Sequence, residues 1–220
     1  TARFQTFLLQ GVTGSGKTDV YLAAAAHFVA QGDQVLILVP EINLTPQFER
    51  HVSAALPAVT TATLHSRLAA GARRKHWDAA ANGTARIILA TRLGVFVPLP
   101  RLALIVVDEE HDDSYKQQDG VRYNARDLAV WRARKRDVPI VLGSATPSLE
   151  TWARAKAGRY RTFTLPHRAG ERARPPEIRF APVRGSQTRD GLSRELRDAL
   201  AARLAAGEQS LLFINRRGFA

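Results

Sequence analysis

An eight-residue stretch, GVTGSGKT at residues 11–18, constrains this chain more than any other segment. It fits the pattern G-x-x-x-x-G-K-[ST] and lies between an apolar run at residues 4–9 and an alanine-rich segment at residues 19–30. The order is therefore strand, glycine-rich loop and helix. Such a loop turns its backbone N–H groups and the positive end of the following helix toward phosphate groups. The sequence predicts a binding site for a nucleoside triphosphate.

Individual residues of this loop have predicted roles. Lys17 is expected to reach the β- and γ-phosphates as a catalytic group, and Thr18 is expected to ligate Mg²⁺. The alternative is a glycine-rich turn with a capping hydroxyl, but the flanking strand and helix favour the phosphate site. The predicted nucleotide-binding residues are Gly11, Thr13, Gly14, Ser15, Gly16, Lys17 and Thr18.

The composition limits the class of protein and its compartment. A chain of 220 residues, 45% of them hydrophobic, is long enough for one full domain and part of another. No run approaches the roughly 18 apolar residues of a membrane span and no signal peptide is recognisable, so we expect a cytoplasmic protein. The absence of cysteine excludes disulfides and thiolate metal sites. Because methionine is absent even at position 1, we expect a fragment whose natural N-terminus lies upstream.

The positive charge is concentrated toward the C-terminal end. Residues 1–150 carry 17 basic and 14 acidic side chains, a balance of +3, and residues 151–220 carry 15 and 6, a balance of +9, which together give the net charge of +12. An excess of this density favours a polyanionic partner such as nucleic acid, and the alternative is an arginine-rich solvated surface. The charge alone leaves both open.

Short apolar runs predict the fold class. Predicted strands alternate with predicted helices up to about residue 165, which indicates an α/β fold with a parallel sheet and helices on both faces. After the phosphate loop, the predicted strands are residues 35–39, 60–64, 86–90, 102–108 and 139–142, and the predicted helices are residues 46–56, 70–82 and 125–136.

Three segments follow from these patterns. Residues 1–165 form the domain that contains the phosphate loop, and residues 166–189 are a linker rich in proline and arginine. Residues 190–220 begin a second, truncated domain, because a helix and one strand cannot bury a core. Its helix is predicted from leucines four residues apart and its strand from residues 210–214; the leucines are Leu192, Leu196, Leu200 and Leu204.

The fifth predicted strand ends in the sequence DEEH, residues 108–111. Open α/β folds bind ligands at the carboxyl ends of their strands. In this Walker B pattern Asp108 is expected to hold Mg²⁺, and Glu109 to orient and deprotonate the attacking water. The alternative, a solvated acidic turn, is disfavoured in a chain that also carries a phosphate loop.

The sequence GSAT at residues 143–146 follows the sixth predicted strand. One interpretation is that Ser144 and Thr146, together with His111, hydrogen-bond around the acidic motif and couple nucleotide state to a bound strand. The other is a helix cap with Pro147 at the first helical position. The residues alone do not separate the two.

The three motifs, in this order, resemble the first RecA-like lobe of superfamily 2 helicases of the DEAH type. Longer strings are similar to the primosomal replication-restart DNA helicases along essentially the whole chain. The resemblance implies ATP and Mg²⁺ as ligands and 3′ to 5′ movement on single-stranded DNA at stalled forks. It also implies forked DNA, primosome proteins and single-stranded-DNA-binding proteins as partners, no membrane, and a place at the nucleoid in the bacterial cytoplasm. The strings are GVTGSGKTDVYL, LVPEINLTPQ, TLHS, VVDEEHDDSYKQQDGVRYNARDLAV, LGSATPSLET and LLFINRRGFA.

In that family the segment after DEEH is an aromatic-rich loop that senses single-stranded DNA, and residues 112–126 resemble it. Aromatic side chains stack on bases of any sequence, and basic side chains follow phosphates. The alternative is that Tyr115 and Tyr123 only pack the loop onto the domain. The DNA contacts predicted in the loop are Tyr115, Lys116, Gln117, Gln118, Tyr123 and Arg126.

Further DNA contacts come from the resemblance: Thr45, Gln47, His65 and Arg92, each of which follows a predicted strand and could equally be a cap or turn residue. The chain departs from the family pattern at Asn43, in the string RLGVF at residues 92–96 and at Asn124, all outside the nucleotide site.

The resemblance also implies parts that this sequence does not contain. These are upstream DNA-binding domains, a cysteine-rich zinc module beginning just beyond Ala220, and most of a second lobe that supplies arginine fingers. We therefore expect the chain alone to be weakly active or inactive. Two other functions remain open from the residues: a P-loop kinase or transferase that modifies a small molecule, and a non-motor scaffold that binds forks.

Overall fold

The computed structural model describes residues 3–169, 177–181 and 192–213. The chain separates into two compact units, one within residues 1–173 and one within residues 174–220. Among the described residues, no helix is both long and apolar enough to cross a membrane.

The first unit alternates strands and helices. In chain order its elements are β1 (Thr6–Gly11), α1 (Lys17–Ala30), β2 (Gln34–Leu38), α2 (Pro46–Ala55), β3 (Thr61–Leu64), α3 (Ala70–Ala81), β4 (Ile87–Ala90), a 3₁₀ helix (Arg92–Phe96), β5 (Leu102–Val107), a 3₁₀ helix (Asp113–Tyr115), β6 (Lys116–Gln117), β7 (Tyr123–Asn124), α4 (Ala125–Arg136), β8 (Ile140–Ser144), α5 (Leu149–Lys156) and β9 (Arg161–Leu165).

Seven strands form one sheet in the order β3-β4-β2-β5-β8-β1-β9, and every pairing in it is parallel. The neighbours β5, β8 and β1 carry DEEH, GSAT and the phosphate loop at their carboxyl ends. The parallel α/β sheet predicted from the sequence is confirmed, and its topology brings all three motifs to one edge.

Alternate residues of the central strands face two separate cores. Val35 and Ile37 of β2 belong to a cluster with residues of α1 and α2, whereas Leu36 and Leu38 belong to a cluster with residues of α3 and α4. All four side chains are at most 1% exposed. The prediction of helices on both faces is therefore confirmed, and it explains why β2 has an unbroken apolar sequence.

Side-chain caps fix the starts of the helices that border the site. Thr45 Oγ1 accepts a hydrogen bond from Phe48 N at 3.2 Å, and Pro46 occupies the first turn of α2. Asn124 caps α4 and Ser148 caps α5 in the same manner. Each cap satisfies an N–H group that the helix itself leaves unpaired.

The edge strand β9 was not predicted. It pairs with β1, and Phe163 stacks on Phe7 with ring centroids 5.9 Å apart. Four of its five residues are exposed, and only Phe163 and Leu165 in its sequence RTFTL are apolar. Such an edge strand lacks the continuous apolar run that identifies the buried strands.

In the second unit the predicted helix is present as α6 (Arg194–Ala205), which Ser193 caps. Residues 210–213, predicted to begin a strand, form none in the structure, and residue 214 lies outside the described residues. A strand requires a hydrogen-bonded neighbour, and this segment has none in the described part of the chain. Most of the predicted linker also lies outside the described residues. The division at residues 165 and 189 stays a prediction.

Candidate functional site

The phosphate loop connects the carboxyl end of β1 to the first turn of α1. Gly14 and Gly16 have φ values of 78° and 85°, a left-handed conformation that favours glycine. A Cβ atom at Gly11 would overlap the Ser15 hydroxyl and lie 3.0 Å from Lys17 Cγ. No side chain caps α1, so its first N–H groups stay available to a ligand. The loop therefore has the backbone that a phosphate cradle needs.

Lys17 lies inside this loop and is only 7% exposed. Its Nζ donates to the Gly11 carbonyl at 2.9 Å and lies 3.7 Å from Glu109 Oε1. The Ser15 hydroxyl is buried and has no hydrogen-bond partner among the described residues. An ammonium group and an unpaired hydroxyl in a glycine cradle fit the phosphates of a nucleotide.

A cavity of about 830 Å³ opens beside the loop. Asp108 and Glu109 form one wall, and residues from the start of α2 form another. In the described part of the chain, no group of three or more His, Cys, Asp or Glu side chains could hold a metal by itself. Mg²⁺ commonly binds through one or two protein ligands and substrate phosphates, so Thr18 and Asp108 fit such a site. The predicted residues in the lining are Thr13, Gly14, Ser15, Gly16, Lys17, Thr18, Thr45, Gln47, Asp108 and Glu109.

Asp108 is held rigidly at the end of β5. Its N–H donates to the Leu38 carbonyl at 2.9 Å. Its Oδ1 accepts from the Tyr21 hydroxyl at 3.1 Å, and its carbonyl accepts from the Tyr115 hydroxyl at 2.7 Å. Burial, and then the charge of Glu109, raise the pKa of Asp108 to about 6, while the bond from Tyr21 and the charge of Lys17 act in the opposite direction.

This pKa predicts that Asp108 destabilises the nucleotide-free fold at neutral pH. The folded-state value of about 6 exceeds the ordinary value of 3.8, so the folded state binds the extra proton between these values. The free energy of unfolding therefore falls as the pH rises through this window. In EDTA, Asp108→Asn is expected to raise the free energy of unfolding by about 1–3 kcal/mol at pH 7.5, and the gain should vanish below pH 4.

Urea unfolding of the chain at several pH values measures this difference. The exposed Asp113 provides the control, because Asp113→Asn should change stability little at either pH. A wild-type chain more stable than Asp108→Asn at pH 7.5 would contradict the prediction.

Glu109 has a φ of 45°, in the left-handed region that non-glycine residues seldom adopt. The turn is fixed on both sides, because Glu110 N donates to the Gly143 carbonyl at 2.9 Å and Asp112 N donates to the Glu109 carbonyl at 2.8 Å. This conformation directs Glu109 to the cavity opposite Lys17. Strain of this kind is found where a functional side chain must be aimed.

Glu110, to which the sequence assigned no role, is 1% exposed and accepts four hydrogen bonds. Its donors are Ser148 N at 2.7 Å, Ser148 Oγ at 3.0 Å, Thr151 Oγ1 at 2.8 Å and Arg126 Nη1 at 3.2 Å. Arg126 is itself only 6% exposed. Glu110 thus joins the end of β5 to the start of α5 and to the first turn of α4.

His111 and Thr146 each lie within hydrogen-bonding distance of the Ser144 hydroxyl. His111 Nδ1 is 2.8 Å from Ser144 Oγ and 3.6 Å from Glu109 Oε2, and Ser144 Oγ accepts from Thr146 N at 3.0 Å. The alternative of a helix beginning at Pro147 is wrong, since Ser148 caps α5 and the helix begins at Leu149, two residues after Pro147. The coupling role assigned to these three residues stays a prediction.

The loop at residues 112–126 contains a two-stranded antiparallel hairpin of β6 and β7. Lys116 is exposed, Gln117 is half-buried, and Tyr123 packs edge-on against Phe96 at 5.1 Å. Tyr115 is fully buried, and its hydroxyl bonds the Asp108 carbonyl. In this conformation Tyr115 and Arg126 lie in the interior, so their role as DNA contacts stays a prediction.

The other predicted DNA contacts fall into two places. Thr45 and Gln47 are exposed beside the phosphate loop. His65 and Arg92 line a separate cavity of about 310 Å³ with Arg73 and Trp77.

Arg92 also contacts the loop after DEEH. Its Nη1 donates to the carbonyls of Ser114 at 3.0 Å and Lys116 at 3.2 Å. The carboxyl end of β4 is thus connected to the loop that reaches Asp108.

Comparisons with known proteins agree with this geometry. The DEAD/DEAH box helicase family matches residues 2–155. The chain is similar to Replication restart protein PriA of Bacillus subtilis, with 40% identity over 219 residues that cover 98% of this chain and 27% of the relative. Its similarity to the protein of the same name in Haemophilus influenzae is 43% over 217 residues, which cover 99% of this chain and 30% of the relative. The chain spans less than a third of the length of these relatives.

Two solved structures share the fold. RecG bound to a three-way DNA junction aligns with a TM-score of 0.56 and 23% identity over 76% of this chain and 21% of that chain. The DUF1998 helicase MrfA bound to DNA aligns with a TM-score of 0.51 and 17% identity over 74% of this chain and 25% of that chain. At these identities the likeness concerns the fold alone, and the RecA-like fold expected from the motifs is confirmed.

Proposed function

Since the chain belongs to the DEAD/DEAH box helicase family, we propose that it forms the nucleotide-hydrolysing lobe of an ATP-dependent DNA helicase that acts in replication restart. The observation that carries the proposal is the position of Lys17 between the phosphate loop and Glu109, with Asp108 in the same cavity. The replication role is supported by the relatives, which are named replication restart proteins.

Each residue of the site has a separate role in the proposed hydrolysis of ATP. The loop N–H groups and Lys17 hold the β- and γ-phosphates and stabilise the charge that grows on them. Glu109 orients the attacking water and accepts its proton. Thr18 and Asp108 would hold Mg²⁺, which would neutralise charge on the phosphates. Glu109 lies 3.7 Å from Lys17, so the phosphates of a bound ATP would compete with Glu109 for the Lys17 ammonium group.

DNA binding is proposed to reach this site through the loop at residues 112–126. Single-stranded DNA contacts the exposed side of the loop through Lys116, Gln117 and Tyr123, with further contacts at Thr45, Gln47, His65 and Arg92. Movement of the loop is transmitted by Tyr115, because its hydroxyl bonds the main chain of Asp108. Arg126 and Glu110 anchor the other end of the loop, and His111, Ser144 and Thr146 carry the signal between strands.

A charge-removing substitution tests the DNA-facing side of this loop. In the full-length protein, Lys116→Ala should weaken single-stranded DNA binding and lower the slope of log K against log salt by about 0.7, the share of one phosphate contact. Fluorescence anisotropy at several salt concentrations measures this slope. Lys75→Ala, which removes an exposed lysine from α3, is the matched control. An unchanged slope for Lys116→Ala would exclude a phosphate contact there.

The rest of the full-length protein is proposed to complete the site. A second RecA-like lobe supplies arginine fingers to the γ-phosphate, so the chain alone should hydrolyse ATP slowly or not at all. We also propose that the full-length protein contains a zinc module. Its proposed partners are forked DNA, primosome proteins and single-stranded-DNA-binding proteins. The protein would act in the bacterial cytoplasm at the nucleoid.

Strand displacement by the full-length protein tests the proposed function. With ATP and Mg²⁺ it should unwind a forked duplex by moving 3′ to 5′, and a substrate that permits only 5′ to 3′ movement should remain intact. Transfer of the γ-phosphate to a small metabolite without unwinding would instead identify a kinase. Fork binding without ATP turnover would identify a scaffold.

A further inference from the structure

Tyr21 is buried behind Asp108 at the border of the candidate site, although the sequence assigned it no role. It follows Lys17 by four residues on α1, so both side chains project from the same face of the helix. The ring is 2% exposed, and its hydroxyl donates to Asp108 Oδ1 at 3.1 Å. Because the Asp108 carboxylate can only accept, the phenol hydroxyl is the donor in this bond.

The space for this ring comes from Gly143 on β8. A Cβ atom at Gly143 would overlap the Tyr21 hydroxyl and lie 2.6 Å from Cζ of the ring. Gly143 has no positive φ, so its backbone conformation does not require glycine. Its carbonyl accepts the hydrogen bond from Glu110 N at 2.9 Å, which fixes the turn that carries Glu109. The phenol therefore lies where α1, β5 and β8 meet, beside Asp108 of DEEH and Gly143 of GSAT.

We propose that Tyr21 is a positioning residue that orients the Asp108 carboxylate toward the divalent cation of the nucleotide site, and that Gly143 is glycine in order to accommodate it. This inference rests on the proposed function, in which Asp108 holds Mg²⁺. A buried carboxylate with no fixed donor can rotate, and partners that orient a metal ligand commonly contribute 10-fold to 100-fold to metal affinity. Tyr21 supplies this donor from the helix that also carries Lys17 and Thr18.

The test is the cation dependence of nucleotide binding by the full-length protein. Binding of a fluorescent ATP analogue is measured while Mg²⁺ is titrated, and then again in EDTA. Tyr21→Phe keeps the ring and removes the hydroxyl. In this variant, about 10-fold more Mg²⁺ should be needed to reach half of the maximal increase in affinity for the ATP analogue, and the affinity for the analogue in EDTA should be unchanged. Tyr160→Phe is the control, because it removes a buried hydroxyl that bonds Arg154 at 3.0 Å outside the site.

Each result of this titration is decisive. Equal Mg²⁺ dependence in Tyr21→Phe and wild type would overturn the inference. An equal loss of affinity with Mg²⁺ and in EDTA would also overturn it, because the hydroxyl would then have a general structural role. If the wild-type protein binds the nucleotide equally well with Mg²⁺ and in EDTA, the proposed function on which the inference rests would be refuted instead.

A double-mutant cycle tests the pairing of Tyr21 with Gly143 independently. Gly143→Ala should lower the melting temperature of the full-length protein in the wild-type background and much less in a Tyr21→Leu background, where the ring is gone. The double variant should nevertheless need as much additional Mg²⁺ for nucleotide binding as Tyr21→Phe does, since the hydroxyl that donates to Asp108 is absent. Additive losses of melting temperature would show that Tyr21 does not determine the identity of residue 143.

Discussion

Lys17→Ala in the full-length protein is expected to lower the rate of ATP hydrolysis by at least about 100-fold, because it removes the one ammonium group placed inside the phosphate loop. Lys17 is 7% exposed, and its Nζ lies between the Gly11 carbonyl and Glu109. A fixed positive charge in such a site stabilises the charge that develops on the transferred phosphoryl group. Water, which is free to reorient, does not replace it.

Release of inorganic phosphate measures this rate with saturating single-stranded DNA. Lys156→Ala is the control, since Lys156 lies over the Trp152 ring at 5.2 Å on the surface of α5. Thermal melting of both variants shows whether the fold is retained. Wild-type turnover by Lys17→Ala would remove the basis for reading residues 11–18 as a catalytic phosphate loop.

Glu110→Ala is expected to be among the most destabilising substitutions in the chain. It removes the acceptor of four hydrogen bonds and leaves the Arg126 guanidinium buried without this carboxylate. Breaking a buried ion pair from one side typically costs about 3–5 kcal/mol. Asp127 Oδ1, 3.0 Å from Arg126 Nε, would keep part of the Arg126 charge paired, so we expect a loss toward the lower end of this range. The loss should also separate the start of α5 from the end of β5, since Ser148 is bonded to Glu110 through both N and Oγ.

Urea unfolding of the chain measures the change. Glu150→Ala, an exposed acid in the first turn of α5, should change the free energy of unfolding by less than about 0.5 kcal/mol. Glu110→Leu combined with Arg126→Met should recover part of the stability, because it removes both charges. A loss below about 1 kcal/mol for Glu110→Ala would contradict the role of Glu110 as a buried anchor.

The motifs and most strands could be predicted because their signals are local. A continuous apolar run such as residues 35–39 identifies a strand buried on both faces, and GKT identifies a phosphate loop by its backbone requirements. The edge strand β9 was missed because its solvated side weakens the apolar signal. At residues 210–213 the opposite error occurred, because a strand was predicted and none is present. An apolar sequence alone does not supply the neighbouring strand with which it must pair.

The candidate site was only partly predictable because several contacts join segments far apart in the chain. Tyr21 meets Asp108 across 87 positions, and Glu110 meets Thr151 across 41. The spacing of Lys17 and Tyr21 was the available signal for Tyr21, since residues four apart share a helix face. Tyr115 could not be assigned to the interior from sequence, because a loop aromatic stacks on bases or packs inward depending on the loop conformation.

ATP hydrolysis by the full-length protein and by this chain, each with and without single-stranded DNA, tests most directly whether residues 11–18 and DEEH form one half of a DNA-coupled hydrolytic site. We predict that DNA raises the rate of the full-length protein by at least about 10-fold, since closure of a second lobe adds its arginines to the γ-phosphate, and that the chain alone stays slow with DNA present. Equal rates in the chain and the full-length protein, indifferent to DNA, would contradict both the coupling and the need for a second lobe.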